Sequence, residues 1–599
     1  MRDFLKYTLA SLLALLIFMG VSIGGLLSLV ILLASRDPGP KVKDKSVLTF
    51  DLSTQITDSR RAGAGALEET LTGDSKDTIA LRAVLDAINQ AAQDKRIVGI
   101  YLYGDTSRDG GGAGYATLKE VREALQRFRA TGKPIFAYDV NWRESEYYLA
   151  SVADMIAINP FGSVEMNGLS SETTFFAGAL QKFGIGMQVT RVGKYKSAVE
   201  PFLLTRRSPE SRKQTQQLIG DLWNEFLVTV GKDRKLSPQQ LQSIVDNQGM
   251  LEPTEAVKRG LVTKQAYEDE IVTQLKQLTG RKENDKTFRQ INLKSYAKVA
   301  EEELQKGRKA NKTIAVLYAE GEIVDGDGDS DQVGGSRFAE QLRELRQDND
   351  VKAVVLRVNS PGGSVTASDQ IQREVILTRK VKPVIVSMGS VAASGGYWIS
   401  TYSDRIFAEP NTITGSIGVF GLRPNIQKLA NNNGITWDVV KTGRFADMLT
   451  LSRPRTPEEL ALMQKSVDRI YNEFLGKVAD SRKLPKDKVA EIAQGRVWSG
   501  KEAKAIGLVD DFGGLQVAIQ EAAKRAKLGN DWRLEEYPKP RSLGQQILEN
   551  FSDSSAKVNG TKDPLTREFK KLQADLWILR ALNDPLDIYA RLPYNIRID

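Results

Sequence analysis

The chain of 599 residues repeats itself at domain scale. Gln93-Asp94-Lys95-Arg96-Ile97-Val98-Gly99-Ile100 returns as Gln347-Asp348-Asn349-Asp350-Val351-Lys352-Ala353-Val354. Lys133-Pro134-Ile135-Phe136 returns as Lys382-Pro383-Val384-Ile385, and Tyr147 to Asp154 as Tyr397 to Asp404. Asn224-Glu225-Phe226-Leu227 and Gly260-Leu261-Val262 recur as Asn472-Glu473-Phe474-Leu475 and Gly507-Leu508-Val509. Ordered matches at a nearly constant separation of about 250 residues mean a duplicated domain, since a solenoid would repeat far more often.

Each unit alternates short apolar runs with helical patterns. Val354 to Val358 and Val384 to Met388 have the composition of buried strands, as does Ile406 to Ala408. Ala367 to Arg379 and Pro457 to Val478 carry the spacing of amphipathic helices. Val47 to Leu52 and Ile314 to Tyr318 would be the first strand of each unit. This alternation predicts an α/β fold with a largely parallel sheet, present twice. The expected divisions are an anchor and flanks at 1–45, a first unit at 46–266, a helical connector at 267–312, a second unit at 313–537 and a tail at 538–599. The tail holds an amphipathic stretch, Leu565 to Leu582, which suits packing on the body or on a membrane surface.

Leu9 to Ala34 contains no charge. It is long enough to span a bilayer and longer than a signal-peptide core, and no clean small-residue cleavage site follows before Arg36. It is expected to be an uncleaved anchor in membrane lipid, a cleaved signal peptide being the alternative. Cations flank it on both sides, so the positive-inside rule chooses neither orientation. The net charge of +9 is spread along the chain without a basic stripe interleaved with aromatics, which argues against nucleic acid as a partner. Asp325 to Asp331 resembles a calcium loop, but Ser336 stands where the closing acid is needed. Gly63-Ala64-Gly65 follows no strand. Neither a metal nor a cofactor is assigned.

The chain has no histidine and no cysteine. A Ser-His-Asp triad, a Cys-His pair and a His- or thiolate-ligated zinc site are thereby excluded. Yet Ser387-Met388-Gly389-Ser390-Val391-Ala392-Ala393-Ser394-Gly395-Gly396 has the character of a nucleophile loop. A serine here needs another base, and a buried lysine is the remaining candidate. The duplication locates it. In the register of Tyr147 and Tyr397, Ser394 pairs with Glu144, and Ser-Gly-Gly becomes Glu144-Ser145-Glu146, a loop unsuited to a nucleophile. Gly193-Lys194-Tyr195-Lys196 pairs with Gly443-Arg444-Phe445-Ala446. A cation is kept at Lys194, whereas Lys196 is special to the first unit. The simplest account is a composite site with Ser394 from unit two and Lys196 from unit one.

Asn359-Ser360-Pro361-Gly362-Gly363-Ser364 follows a predicted strand and admits close approach of a ligand to its backbone. The N–H groups of Gly363 and Gly395 are the expected oxyanion donors. Gly110-Gly111-Gly112 in the first unit follows a longer insert and is not equivalent. Ser416, in Thr414-Gly415-Ser416-Ile417-Gly418, is expected to hold the lysine amine. Rival nucleophiles are Ser390, Ser360 and Ser364; Lys194 is the rival base, and Ser394 also suits a plain helix N-cap.

GKYKSAVEPF, NSPGGS, MGSVAASGGYW and TGSIGVFG together closely resemble the signal peptide peptidase A (protease IV) family in its long, two-domain bacterial form. The resemblance covers nearly the whole chain, anchor included. It implies a tandem Clp protease/crotonase-like fold and a serine–lysine endopeptidase that cleaves leftover signal peptides and other unfolded, largely apolar segments. By motif, Ser394 is the nucleophile, Lys196 the general base, Ser416 its positioning group, and Gly363 and Gly395 the oxyanion donors. It also implies a dome-shaped homotetramer with its body on the extracytoplasmic face of a plasma membrane, a thylakoid membrane being the alternative. Two other classes compete: a crotonase-like acyl-CoA enzyme and a non-catalytic membrane scaffold.

Overall fold

The computed structural model describes residues 40–59, 78–105, 113–306, 311–329, 331–539, 584 and 587–592, with isolated positions 7, 15 and 18. Gly63 to Gly65, Gly110 to Gly112, Leu565 to Leu582 and all of the expected anchor but Leu15 and Phe18 lie outside the described residues. Among those residues no helix is long and apolar enough to cross a membrane.

Two sheets built on one plan form the body. In the first, the order is Gln290–Asn292, Ser46–Asp51, Ile97–Tyr103, Ile135–Trp142, Met155–Met166 and Gly249–Leu251. In the second, Arg533–Tyr537, Thr313–Glu320, Val351–Ser360 and Val384–Ala393 run in parallel, followed by Ile413–Gly415 and an antiparallel Val497–Ser499. The central strands are apolar on both faces because helices cover both. Val354, Val355 and Leu356 are all fully buried. The predicted strands and helices are present and somewhat longer than their apolar spans: Val351–Ser360, Val384–Ala393, Val365–Arg379 and Pro457–Arg482.

The repeated motifs perform the same local task in each unit. Tyr147 Oη donates to the Leu261 carbonyl at 2.5 Å, and Tyr397 Oη to Leu508 at 2.8 Å. Lys133 Nζ binds the carbonyls of Ala91 and Asp94 at the end of the helix Leu81–Gln93, and Lys382 Nζ those of Leu345 and Asp348 at the end of Gly335–Gln347. Asp154 accepts from the amide of Ile135, and Asp404 from that of Val384. These polar fasteners require particular side chains, so the same residue types recur in both units.

The expected connector at 267–312 is different in kind. Its helix Glu268–Leu278 buries Ile271 and Leu275 on the first sheet, and Gln290–Asn292 extends that sheet in parallel beside Ser46–Asp51. Helix Leu293–Lys306 adds Tyr296 and Ala300 to the core on the other face of that sheet. Leu515–Arg525 and Arg533–Tyr537 do the same in the second unit. The Lys- and Glu-rich exposed face hid a buried one, so this segment completes the first unit.

A third, small sheet joins the two halves. Its order is Gln332–Gly334, Glu322–Val324, Gly362–Ser364, Ile588–Arg591, Phe420–Asn425 and Gly186–Arg191. Gly186–Arg191 of unit one pairs antiparallel with Phe420–Asn425 of unit two over six residues. A buried ion cluster makes a second junction. Arg357 is wholly buried and reaches Asp58 at 2.6 Å and Glu120 at 2.7 Å, both from the first unit. Asn359 Nδ2 donates to the other Asp58 oxygen at 2.6 Å, and the Leu515 amide donates to Glu120 at 2.6 Å. Burial pushes the Glu120 carboxyl above its ordinary range, against the opposing pull of the Arg357 charge.

Candidate active site

Ser394 ends the long strand Val384–Ala393 and caps the short helix Gly395–Ser400. Its backbone sits at φ 55° and ψ −111°, a conformation that costs a non-glycine residue about 1–3 kcal/mol. The turn is held from both sides. The Ser394 amide donates to the Gly415 carbonyl at 2.8 Å, and the Ser394 carbonyl accepts from the Trp398 amide at 2.8 Å. Strain of this kind persists only where the surroundings dictate it. Here it aims the side chain out of the sheet toward the first unit.

Lys196 arrives on the loop that follows Gly186–Arg191, the strand that crosses between halves. Tyr195 N–H donates to the Gln494 carbonyl at 3.0 Å. Gln214 donates to the Tyr195 carbonyl and Ser197 Oγ while accepting from the Val497 amide of unit two. Gly495, at φ +73°, allows the close packing: a Cβ there would lie 2.6 Å from that of Lys196.

Lys196 and Ser394 both have 0% exposure. Lys196 Nζ lies 2.8 Å from Ser394 Oγ and 3.0 Å from both the carbonyl and Oγ of Ser416. Burial holds the amine well below the ordinary lysine range, and the charge of Arg591 pushes it further in the same direction. The two oxygens of Ser416 and the Ser394 hydroxyl together surround the amine nitrogen. Ser416 is itself at φ 50°, fixed by its amide to the Arg496 carbonyl at 2.7 Å.

Gly362 packs against the start of the Ser394 helix, while Gly363 packs against Ile323. A Cβ on Gly362 would come within 2.5 Å of the Gly395 nitrogen, and one on Gly395 within 3.0 Å of Gly362 Cα. The backbones of Gly362 and Gly395 therefore approach each other closely. Of the rivals, Ser390 contacts Thr117 Oγ1 at 3.1 Å, Ser360 Oγ accepts from the Gly362 amide, and Ser364 Oγ donates to Asp584. Lys194 is exposed, over the Tyr195 ring, much as Arg444 lies over Phe445. In the first unit, Glu144 opens the equivalent helix and accepts from the amides of Asn167 and Gly168.

A model of peptidase family S49 matches residues 127–282 and 376–529, and a Clp protease model matches residues 305–412. The chain belongs to peptidase family S49. "Protease 4" of Salmonella typhi is 37% identical, over 91% of this chain and 90% of its own. "Protease 4" of Haemophilus influenzae is 34% identical over 95% of both chains. "Serine protease SPPA, chloroplastic" of Arabidopsis thaliana is 33% identical over 89% of this chain and 77% of its own. The protein is thus a serine protease of family S49, with tandem Clp-like α/β units.

Two neighbours of Lys196 escaped the sequence. The Ser416 backbone carbonyl is a lysine partner, and no side-chain pattern signals it. Arg591 belongs to a strand of four residues, too short for periodicity to show.

Proposed function

We propose that this S49 peptidase hydrolyses peptide bonds with a serine–lysine dyad divided between its two units. The observation that carries the reading is the buried 2.8 Å contact between Lys196 Nζ and Ser394 Oγ. Neutral Lys196 takes the hydroxyl proton as Ser394 Oγ attacks the peptide carbonyl carbon. The oxyanion is received by the N–H groups of Gly363 and Gly395. The protonated lysine then gives its proton to the departing amine, and water hydrolyses the acyl-enzyme by the same route. Ser416 orients the amine throughout.

Residual signal peptides and other unfolded, largely apolar segments are the proposed substrates. A buried site reached between glycine-rich strands suits an extended chain and excludes a folded one. Leu9 to Ala34 would anchor the body to a membrane, and a homotetramer is the proposed assembly. The discriminating experiment is covalent labelling by a serine-directed phosphonate, followed by peptide mapping. Labelling at Ser394 that is lost in Lys196→Ala supports the dyad. Labelling elsewhere, or at Ser394 regardless of Lys196, refutes it.

A further inference from the structure

Gln214 stands on the helix Pro209–Arg234 of the first unit and is buried. Its side-chain nitrogen donates to the Tyr195 carbonyl at 3.0 Å and to Ser197 Oγ at 3.1 Å, one contact on each side of Lys196. Its side-chain oxygen accepts from the Val497 amide of the second unit at 3.2 Å. A carboxamide has two N–H donors and one carbonyl. The Val497 N–H can only donate and the Tyr195 carbonyl can only accept, so one orientation of the amide satisfies all three partners.

Val497 leads on to the rest of the site. It pairs with Gly415 in the antiparallel ladder between Val497–Ser499 and Ile413–Gly415. The Gly415 carbonyl accepts from the Ser394 amide at 2.8 Å. The Arg496 carbonyl, one residue before Val497, accepts from the Ser416 amide at 2.7 Å. Gln214 thus joins the loop of Lys196 to the strands that hold Ser394 and Ser416. The helix itself is fixed by other contacts. Leu218 and Leu222 pack with Ala393, Ile413 and Val497, and Asp221 accepts from Ser499 Oγ at 2.7 Å.

The duplication sets Gln214 apart. In the register of Asn224 and Asn472, Gln214 pairs with Leu462, which is exposed. The unit that has Ala446 in place of the lysine also lacks the amide. Tyr147 and Tyr397 serve the fold of each unit alike, whereas Gln214 accompanies Lys196 alone.

We propose that Gln214 is a positioning residue for the general base: it braces the Lys196 loop against the second unit and so keeps the amine beside Ser394 and away from water. This rests on the dyad reading. The amine is held below the ordinary lysine range first by burial and then by Arg591, the charged group that acts on it. Without the brace the loop loosens, water reaches the amine and the effect of burial weakens. The amine pKa then rises toward its ordinary value, and the acid limb of kcat/KM moves to higher pH.

The test is casein hydrolysis by the full-length protein across pH. Gln214→Met keeps the volume and removes the amide; Ser197→Ala removes one of its partners. Gln214→Met should lose about 10–100-fold in kcat with KM nearly constant, and its acid limb should lie at higher pH than the parent's. Ser197→Ala should move in the same direction by less. Val230→Ala, buried near the far end of the same helix, is the structural comparison: it should lower the urea midpoint and leave the limb in place. An unmoved limb in Gln214→Met, or an equal move in Val230→Ala, overturns the positioning role. Lys196→Ala, measured alongside, separates the two readings. Cleavage by Lys196→Ala at the parent's rate removes the dyad and the positioning role with it. Loss of cleavage there, with an unmoved limb in Gln214→Met, removes the positioning role alone.

Discussion

Lys196 Nζ lies 2.8 Å from Ser394 Oγ, although 198 residues separate them in the chain. Neither unit of the duplication holds both groups. The strand Gly186–Arg191, lent by one half to a sheet of the other, brings them together.

The proposed dyad predicts a pH dependence. Only the neutral amine accepts the serine proton, and burial together with the Arg591 charge holds its pKa well below 10.5. The amine is therefore neutral over a wider range than an ordinary lysine, and kcat/KM should fall on the acid side as pH drops through the depressed value. A kcat/KM profile should show this limb well below 10.5, unchanged in Lys194→Ala. A limb at the ordinary lysine position would contradict the account.

Ser416→Ala removes one of the two Ser416 oxygens beside the amine and leaves the carbonyl at 3.0 Å. Loss of an orienting partner typically costs about 10–100-fold, and kcat should bear it with KM nearly constant. Steady-state kinetics on one peptide substrate checks the split.

Gly362 tests the glycine loop. Its φ is +93°, and a Cβ there would lie 2.5 Å from the Gly395 nitrogen. Gly362→Ala should reduce kcat/KM by about 100-fold or more by disturbing the oxyanion space. The backbone strain should cost about 1–2 kcal/mol of stability, read by denaturant unfolding.

The junction between units rests partly on Arg357. Arg357→Ala leaves Asp58 and Glu120 buried without their cation. Removing one partner of a buried pair costs about 3–5 kcal/mol, so urea unfolding should shift strongly to lower concentration. The double variant Arg357→Ala, Glu120→Gln should recover part of the loss, since one of the two stranded charges is gone.

Much of this was legible in the sequence because the duplication supplied an internal comparison. Glu144 facing Ser394 and Ala446 facing Lys196 pointed to two residues that the fold brings within 2.8 Å, and several motifs shared by both halves are polar fasteners such as Tyr147 and Tyr397. The segment at 267–312 was obscured because its charged face dominates its composition, while Ile271 and Leu275 carry the packing. Asp58, Glu120 and Arg357 are far apart in sequence, and single charges in separate elements give no local pattern. The strand at Ile588–Arg591 depends wholly on tertiary pairing, which four residues cannot announce.

The most direct test is kcat/KM for casein in the full-length protein beside Ser394→Ala, Lys196→Ala and Lys196→Arg. The account predicts that all three variants lose at least about 1,000-fold while remaining folded, as for removal of a nucleophile or its base. Arginine should fail with alanine, because a guanidinium keeps its charge and cannot accept the proton. Casein cleavage by Lys196→Ala at the parent's rate would contradict the composite dyad.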